Sequence, residues 1–483
     1  METFTVCISR CRIAVLGVLL LLAVFVSCTG QEKKAERSAK SGPAKRVLII
    51  SLDGLDARYL QKRDEYGLKI PALRRLMAEG ATARGVTAVY PSVTYPSHTT
   101  IVTGVLPSRH GIFGNELFEP PGTERTGGWH WFARDIRAET LWDVAARNNL
   151  KVGMVSWPVG GGAGDFNVPE ILAFGKPLHE TVKLMKANQR PQGLIEEVES
   201  RDPQLYLGAN KDEQDDMRTR FAEHLISEKR PDVMLVHLFD LDHFQHDYGP
   251  FTPEAFAMLE KVDGYVGRML AAASRAGTLA ETAVFIVSDH GFLPVSKLVH
   301  PGVLLSRAGL IQIREEKDEQ NRARAVVTDW RAYPYVTAGS CAIILRDAKD
   351  EETLKKLRSL FGPLAGREGS GILRVLEAKE VRALGADPNA ALMLEAADGY
   401  SFGKETGGEA ITSNPQRGQH GFLPTRADYY ASFIASGAGI GRRGDLGIVR
   451  MIDLGPTIAH TLGLNLRQAD GRAIKGMKDE EKR

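Results

Sequence analysis

The chain has 483 residues, 25% of them charged, and a formal net charge of only +2. That length supports one large α/β domain with an insertion, or two domains, with enough chain to bury a sizeable core. The near-neutral balance, without a long basic or acidic run, excludes binding of duplex nucleic acid by bulk charge and leaves a small charged molecule as the expected ligand.

At the N-terminus, Arg10 and Arg12 precede an apolar stretch over residues 13–26, and Ser27-Cys28 follows. A charged start, an apolar core too short for a comfortable membrane span and a small residue before a cysteine mark an export signal. Residues 1–28 resemble a bacterial lipoprotein signal, with Cys28 as the acylated first residue of the mature chain. Residues 29–45, rich in Lys, Glu, Ser, Ala and Gly, read as a disordered tether. The expected location is therefore periplasmic or cell-surface, with a lipid anchor at Cys28. Cys7 and Cys11 fall in the leader, which leaves Cys341, in the apolar run SCAIIL, as a buried core thiol with no disulfide partner.

From Arg46 the pattern becomes strand, loop, helix, repeated. RVLIIS, KVGMVS, VMLVHL, AVFIVS and YYASFIAS are short and almost continuously apolar, as strands covered on both faces are. Between them lie helical patterns over residues 71–79, 253–276 and 451–462. Pro71 and Pro253 suit helix starts, and Gly80, Gly277 and Gly463 suit helix stops. Alternating strands and helices predict a mainly parallel sheet. Residues 297–413 break the alternation and read as an insertion or cap, so the catalytic core spans 46–296 and 414–472.

The residues that carry chemistry sit just beyond the apolar runs, where open α/β sheets place ligands. Asp53 follows RVLIISL, Asp242 and His246 follow VMLVHLFDL, Asp289-His290 follows AVFIVS, and His420 lies in GQHGF. Carboxylates and imidazoles of this kind suit a pair of divalent cations such as zinc. Thr94, in YPSVTYPSHTT, is a candidate nucleophile. Single acids after strands often cap helices or form turns, but their joint occurrence with histidines points to a two-metal hydrolase of phosphorus esters. His98 and His110 read as structural, and His237, inside an apolar strand, as a satisfied core histidine. His243 competes with His246 as a ligand, but only His246 has both the spacing from Asp242 and the following Gly249-Pro250.

The order of these signatures resembles the type I phosphodiesterase/nucleotide pyrophosphatase branch of the alkaline phosphatase superfamily, over residues 46–472. The resemblance rests on Asp53, on Thr94 in VTYPSH, on LPSRHGIFGN ending at Asn115, on Asp242-x-x-x-His246-x-x-Gly249-Pro250, on Asp289-His290-Gly291 and on His420-Gly421. It implies an alkaline-phosphatase-like three-layer sandwich, a mainly parallel sheet flanked by helices. It also implies two Zn2+ per chain, one held by Asp242, His246 and His420, the other by Asp53, Asp289 and His290 with the Thr94 oxygen. Thr94 would form a phosphothreonine intermediate, and Asn115 would contact the phosphoryl oxygen.

Within the superfamily, a threonine at position 94 excludes the formylglycine of a sulfatase. Trp157-Pro158-Val159-Gly160-Gly161 follows KVGMVS without a cation, which resembles the diesterase branch and favours a phosphodiester or nucleotide substrate. Tyr95 and Trp157 are expected beside that substrate, Tyr95 by stacking on a base or aryl group. The chain has His237 where the eukaryotic-type enzymes carry a tyrosine. The alternatives are a phosphomonoesterase or phosphonate hydrolase of the same superfamily, and a surface lipoprotein that binds without turnover.

Overall fold

The apolar runs form the centre of an α/β sheet. The structure, a computed structural model, describes residues 44–123, 128–210, 213–317 and 323–477. The export signal, Cys28 and all but the end of the tether lie outside the described residues. No helix among the described residues is long and apolar enough to cross a membrane.

Eight strands make the main sheet: β1 (Arg46–Leu52), β2 (Ala81–Thr82), β3 (Val152–Val155), β4 (Phe166–Val168), β5 (Val233–Leu238), β6 (Thr282–Val287), β7 (Phe433–Gly437) and β8 (Gly444–Asp445). Their order is β8-β2-β7-β6-β1-β5-β3-β4. β1 is central and runs parallel to both β5 and β6, with Ile49 opposite Leu235 and Phe285. YYASFIAS departs from expectation, because β7 pairs antiparallel with β6 and with β2.

Each central strand is apolar throughout because both of its faces are covered. Leu48, Ile50, Leu52, Val236 and Ile286 pack on one side against α1 (Pro71–Glu79), α3 (Asp215–His224) and α5 (Pro253–Arg275). Val47, Ile49, Leu235 and Phe285 pack on the other against α2 (Thr94–Thr103) and α6 (Leu454–Thr461). A short helix, α4 (Asp240–Tyr248), follows β5 directly. The starts at Pro71 and Pro253 are those the prolines predict. The pattern at 451–462 resolves into a 3-10 turn, Met451–Asp453, before α6.

Strands between β6 and β7 lie outside the main sheet. Ala332–Thr337, Ser340–Leu345, Ala390–Ala396 and Ile372–Glu377 form a four-stranded antiparallel sheet over their own core, which buries Cys341. Leu293–Val299 pairs with Gly399–Phe402, with Ile411–Ser413 and, antiparallel, with Gly418–Gln419. That last pairing returns the chain to the end of β6.

Candidate metal centre

Three strand ends and one returning strand bring the predicted ligands together. Asp53 is the first residue past β1, and Asp289-His290 lies just past β6. Asp242 and His246 are four apart on α4 and so share a face. The antiparallel pairing of Gln419 with Leu293 sets His420 over His290, their rings stacked 3.7 Å apart. Gly54 turns the chain immediately after Asp53 with a positive φ of 67°, and a Cβ there would lie 2.8 Å from the Gln245 amide. The same backbone N–H donates to Asp289 Oδ1 at 3.1 Å, tying the first acid to the third.

Asp53, Asp289 and His290 offer ligand atoms within 4.8 Å of one another, and so do Asp242, His290 and His420. His246 Nε2 lies 3.3 Å from Asp242 Oδ2, while its Nδ1–H donates to the Gly418 carbonyl at 3.0 Å. That bond fixes the ring and leaves Nε2 as the free donor atom, the arrangement metal-binding histidines adopt.

The donor set fits a pair of divalent cations. Asp53 Oδ1, Asp242 Oδ1, Asp289 Oδ2, both ring nitrogens of His290 and His420 Nδ1 are buried without a hydrogen-bond partner. Buried polar atoms are almost always paired, so their convergence marks a place for positive charge. Burial, then repulsion from Asp289 and Asp242, raises the Asp53 carboxyl well above the usual carboxylate range. Burial opposes protonation of His290, yet Asp289 and Asp53 pull it up to about 9. A cation would supply what these carboxylates now draw from protonated imidazole.

Thr94 opens α2 and is 8% exposed. The helix begins at Thr94 because Val93 is extended, and Pro96, in the first turn, lacks an N–H that would have no helical partner there. The Tyr95 N–H donates to Asn115 Oδ1 at 2.9 Å. That contact turns the Asn115 amide NH2 away from the helix end, and Asn115 lines a cavity of about 410 Å³ with Val93, His246 and His420. His98 Nδ1–H donates to the Thr94 carbonyl at 2.8 Å and its Nε2 accepts from Ser51 Oγ at 2.7 Å, so it braces the backbone of Thr94.

Two expected substrate contacts lie elsewhere. Tyr95 is fully buried, its ring edge-on to Trp129 at 5.3 Å and its hydroxyl bonded to Glu170, so neither face is open for stacking. Trp157 is 1% exposed and packs edge-on against His98 at 5.1 Å, beneath α2 instead of in the cavity. Both are large apolar rings next to glycines or prolines, a sequence context that does not separate a lining residue from a packed one. His243 rests on Phe239 at 4.8 Å and His110 is buried beside Thr100.

His237 and Glu170 are the residues that sequence reasoning missed. His237 Nε2–H donates to Asp53 Oδ2 at 2.9 Å and its Nδ1–H to Glu170 Oε2 at 2.7 Å, so this histidine belongs to the site and not to the apolar core. Burial opposes a charge on the ring, but Glu170 and Asp53 push its pKa up to about 10. The only signal in the sequence is a polar side chain at the carboxyl end of an apolar strand.

A family model, type I phosphodiesterase / nucleotide pyrophosphatase, matches residues 47–423. The chain belongs to this family. Human ectonucleotide pyrophosphatase/phosphodiesterase family member 1 is 25% identical over 252 residues, 51% of this chain and 23% of that protein. An uncharacterised pyrophosphatase/phosphodiesterase of Schizosaccharomyces pombe is 25% identical over 303 residues, 59% of this chain and 53% of that protein. The matched stretch thus spans about half or less of these relatives' own length. Among solved structures, human ectonucleotide pyrophosphatase/phosphodiesterase 5 superposes with a TM-score of 0.62 at 18% identity, covering 90% of this chain and 100% of that one. An inactive threonine-to-alanine variant of the murine protein, in complex with AMP, gives a TM-score of 0.60 at 18% identity, covering 88% and 97%. The type I phosphodiesterase fold is therefore the fold of this chain.

Proposed function

We propose that this member of the type I phosphodiesterase family is a zinc-dependent hydrolase that cleaves phosphodiester or pyrophosphate bonds with Thr94 as nucleophile. One observation carries the reading: buried donors of Asp53, Asp242, Asp289, His290 and His420 without hydrogen-bond partners converge under a cavity, and His98, 3.8 Å from Asp289, joins them to the backbone of Thr94 at a helix start. Asp242, His246 and His420 would hold one ion, and Asp53, Asp289 and His290 the other, with the Thr94 oxygen. Bound divalent cations supply Lewis acidity, lowering the threonine hydroxyl pKa and offsetting charge on the phosphoryl oxygens. The chain's own groups do the rest. The Thr94 oxygen attacks phosphorus as the bond to the leaving alcohol or phosphate breaks, and water then cleaves the phosphothreonine. The Asn115 amide donates to a non-bridging oxygen, and the start of α2 adds its dipole.

The cavity favours a diester. Among the described residues Lys404 is the one Lys or Arg lining it, and its ammonium is held by both Glu116 carboxylate oxygens at 2.6 Å, which leaves none of these cations unpaired for the second charge of a monoester. Trp129 also lines the cavity and stacks on Trp131 at 5.6 Å, with Phe174, 53% exposed, at 4.6 Å from Trp129. Such an aromatic shelf suits a nucleoside or aryl group, and the AMP complex of the murine relative supports a nucleotide. Residues 297–413 act in this reading as the cap, contributing Tyr335, Phe402 and Lys404 to the walls. Export and anchoring at Cys28 complete the proposal, tested by palmitate labelling of the wild-type chain against Cys28→Ser.

The test of the activity compares kcat/KM for a nitrophenyl phosphodiester, a nucleotide nitrophenyl ester and nitrophenyl phosphate, with zinc content measured alongside. Preference for the diesters with about two zinc ions per chain, and a loss of about 10³-fold or more in Thr94→Ala, is expected. Preference for the monoester would move the substrate class, and bound zinc without turnover would favour a phosphonate or a binding role.

A further inference from the structure

A line of four buried side chains joins the residue after the nucleophile to the first carboxylate of the metal centre. The Tyr95 hydroxyl donates to Glu170 Oε1 at 2.8 Å, and Glu170 Oε2 accepts from His237 Nδ1 at 2.7 Å. His237 Nε2 then donates to Asp53 Oδ2 at 2.9 Å. Tyr95, Glu170, His237 and Asp53 are 0%, 4%, 1% and 2% exposed, so water does not compete for these bonds. The last link engages only Oδ2; Asp53 Oδ1 has no partner and faces His290 Nε2 at 3.3 Å.

On the reading of the centre proposed above, we infer that Glu170 and His237 are positioning residues that clamp Asp53 so that a single carboxylate oxygen is presented to the metal, and that lock this oxygen to the start of the nucleophile's helix through Tyr95. The geometry explains why these residue types are needed. A carboxylate oxygen lies within hydrogen-bond distance of each ring nitrogen of His237, so the ring is held from both edges and its orientation is set. Glu170 supplies the counter-charge and also accepts from Tyr95, so each of its oxygens is used. A neutral amide at position 170 leaves only an uncharged hydrogen bond on this side of the ring, so the ring, and the Asp53 carboxylate bonded to its other nitrogen, are held less firmly. Glu170 is not among the residues that line the substrate cavity, so its effect on turnover passes through Asp53.

The test uses the full-length, zinc-loaded protein, with Glu170→Gln and Tyr95→Phe compared with the wild type and with Thr94→Ala. Zinc affinity is read by competition with a chromogenic chelator, and kcat and KM are read separately. Partners of this kind contribute about 10- to 100-fold to metal affinity or activity. Glu170→Gln is expected to lose that much zinc affinity and to lower kcat with KM within about twofold of wild type. Tyr95→Phe, which keeps the ring packing and removes only the donor to Glu170, is expected to shift both readings in the same direction and by less. Unchanged zinc affinity and kcat in Glu170→Gln would overturn the inference. Should that variant not fold, Tyr95→Phe decides alone, and wild-type zinc affinity with wild-type kcat overturns it. A wild-type chain that binds no zinc, or a Thr94→Ala chain that keeps its activity, would instead sink the underlying reading of the centre and is told apart by those two controls.

Discussion

Two clusters of buried carboxylates lie side by side at the end of β5, and they are built on opposite principles. In one, Asp240 accepts from the backbone N–H groups of Gln214 and Asp215, while Asp215 accepts from those of Phe239 and Asp240. Arg218, 1% exposed, closes the group by donating to Asp215 and lying 3.4 Å over the Phe239 ring. In the other, Asp53, Asp242 and Asp289 each keep a buried oxygen with no hydrogen-bond partner, facing only the imidazoles of the centre. Asp240 and Asp242 are two residues apart on the same short helix, and both are buried. What separates a structural acid from a candidate ligand is therefore satisfaction, not burial: a closed network stabilises the fold, whereas open oxygens destabilise it until something binds.

Substitutions in the two clusters should part sharply. Asp53→Asn is expected to lower turnover by about 10³-fold and to weaken zinc binding. It should nevertheless raise the thermal stability of the metal-free chain by about 1 kcal/mol, because the amide relieves the burial cost and the repulsion from Asp289 and Asp242. A metal-free variant less stable than the metal-free wild type would break the comparison. Arg218→Met is the converse: removing one partner of a buried pair costs about 3–5 kcal/mol in denaturant unfolding, with the zinc-to-protein ratio unchanged.

A pH-dependent term comes from the satisfied side of the molecule. His110 Nδ1 accepts from the Ile112 N–H at 3.1 Å, so the ring must be neutral, and burial lowers its pKa from 6.5 to about 3. Between about pH 6.5 and 3 the unfolded chain binds a proton that the folded chain refuses, so stability falls as the pH drops through that window. The contribution approaches about 1.4 kcal/mol per pH unit inside that window, and His110→Gln should remove about 1 kcal/mol per pH unit from the slope of unfolding free energy between pH 7 and 5. The smallest effect is expected at Lys404, whose ion pair with Glu116 is largely exposed. Lys404→Met should change stability by less than about 1 kcal/mol, and its readout is KM for charged leaving groups.

The same contrast explains what the sequence disclosed. Asp53, Asp289 and His290 were legible because each ends an apolar run of sheet strand, and Asp242 with His246 because four residues bring two ligands onto one helix face. His237 was not, since five apolar neighbours along β5 make any inward side chain look like core. Glu170 lies past the three-residue strand β4, too short to show a period, and it meets His237 only because β4 and β5 flank β3 in the sheet. Tyr95 is packed away from the cavity for a similar reason: its partners, the half-buried Trp129 and the buried Glu170, come from loops whose paths carry no periodic signal. The antiparallel course of β7 was hidden as well, because continuous hydrophobicity reports coverage on both faces and says nothing of strand direction.

The returning strand Gly418–Gln419 carries one last consequence. The earliest donor of the centre, Asp53, and the latest, His420, stand at opposite ends of the sequence, and the second reaches its place only by pairing with Leu293 and Pro294. A nascent or clipped chain that lacks that late segment would expose the first acids without the final imidazole. If the centre holds two ions as proposed, full occupancy would report that the chain has been made and paired as far as His420.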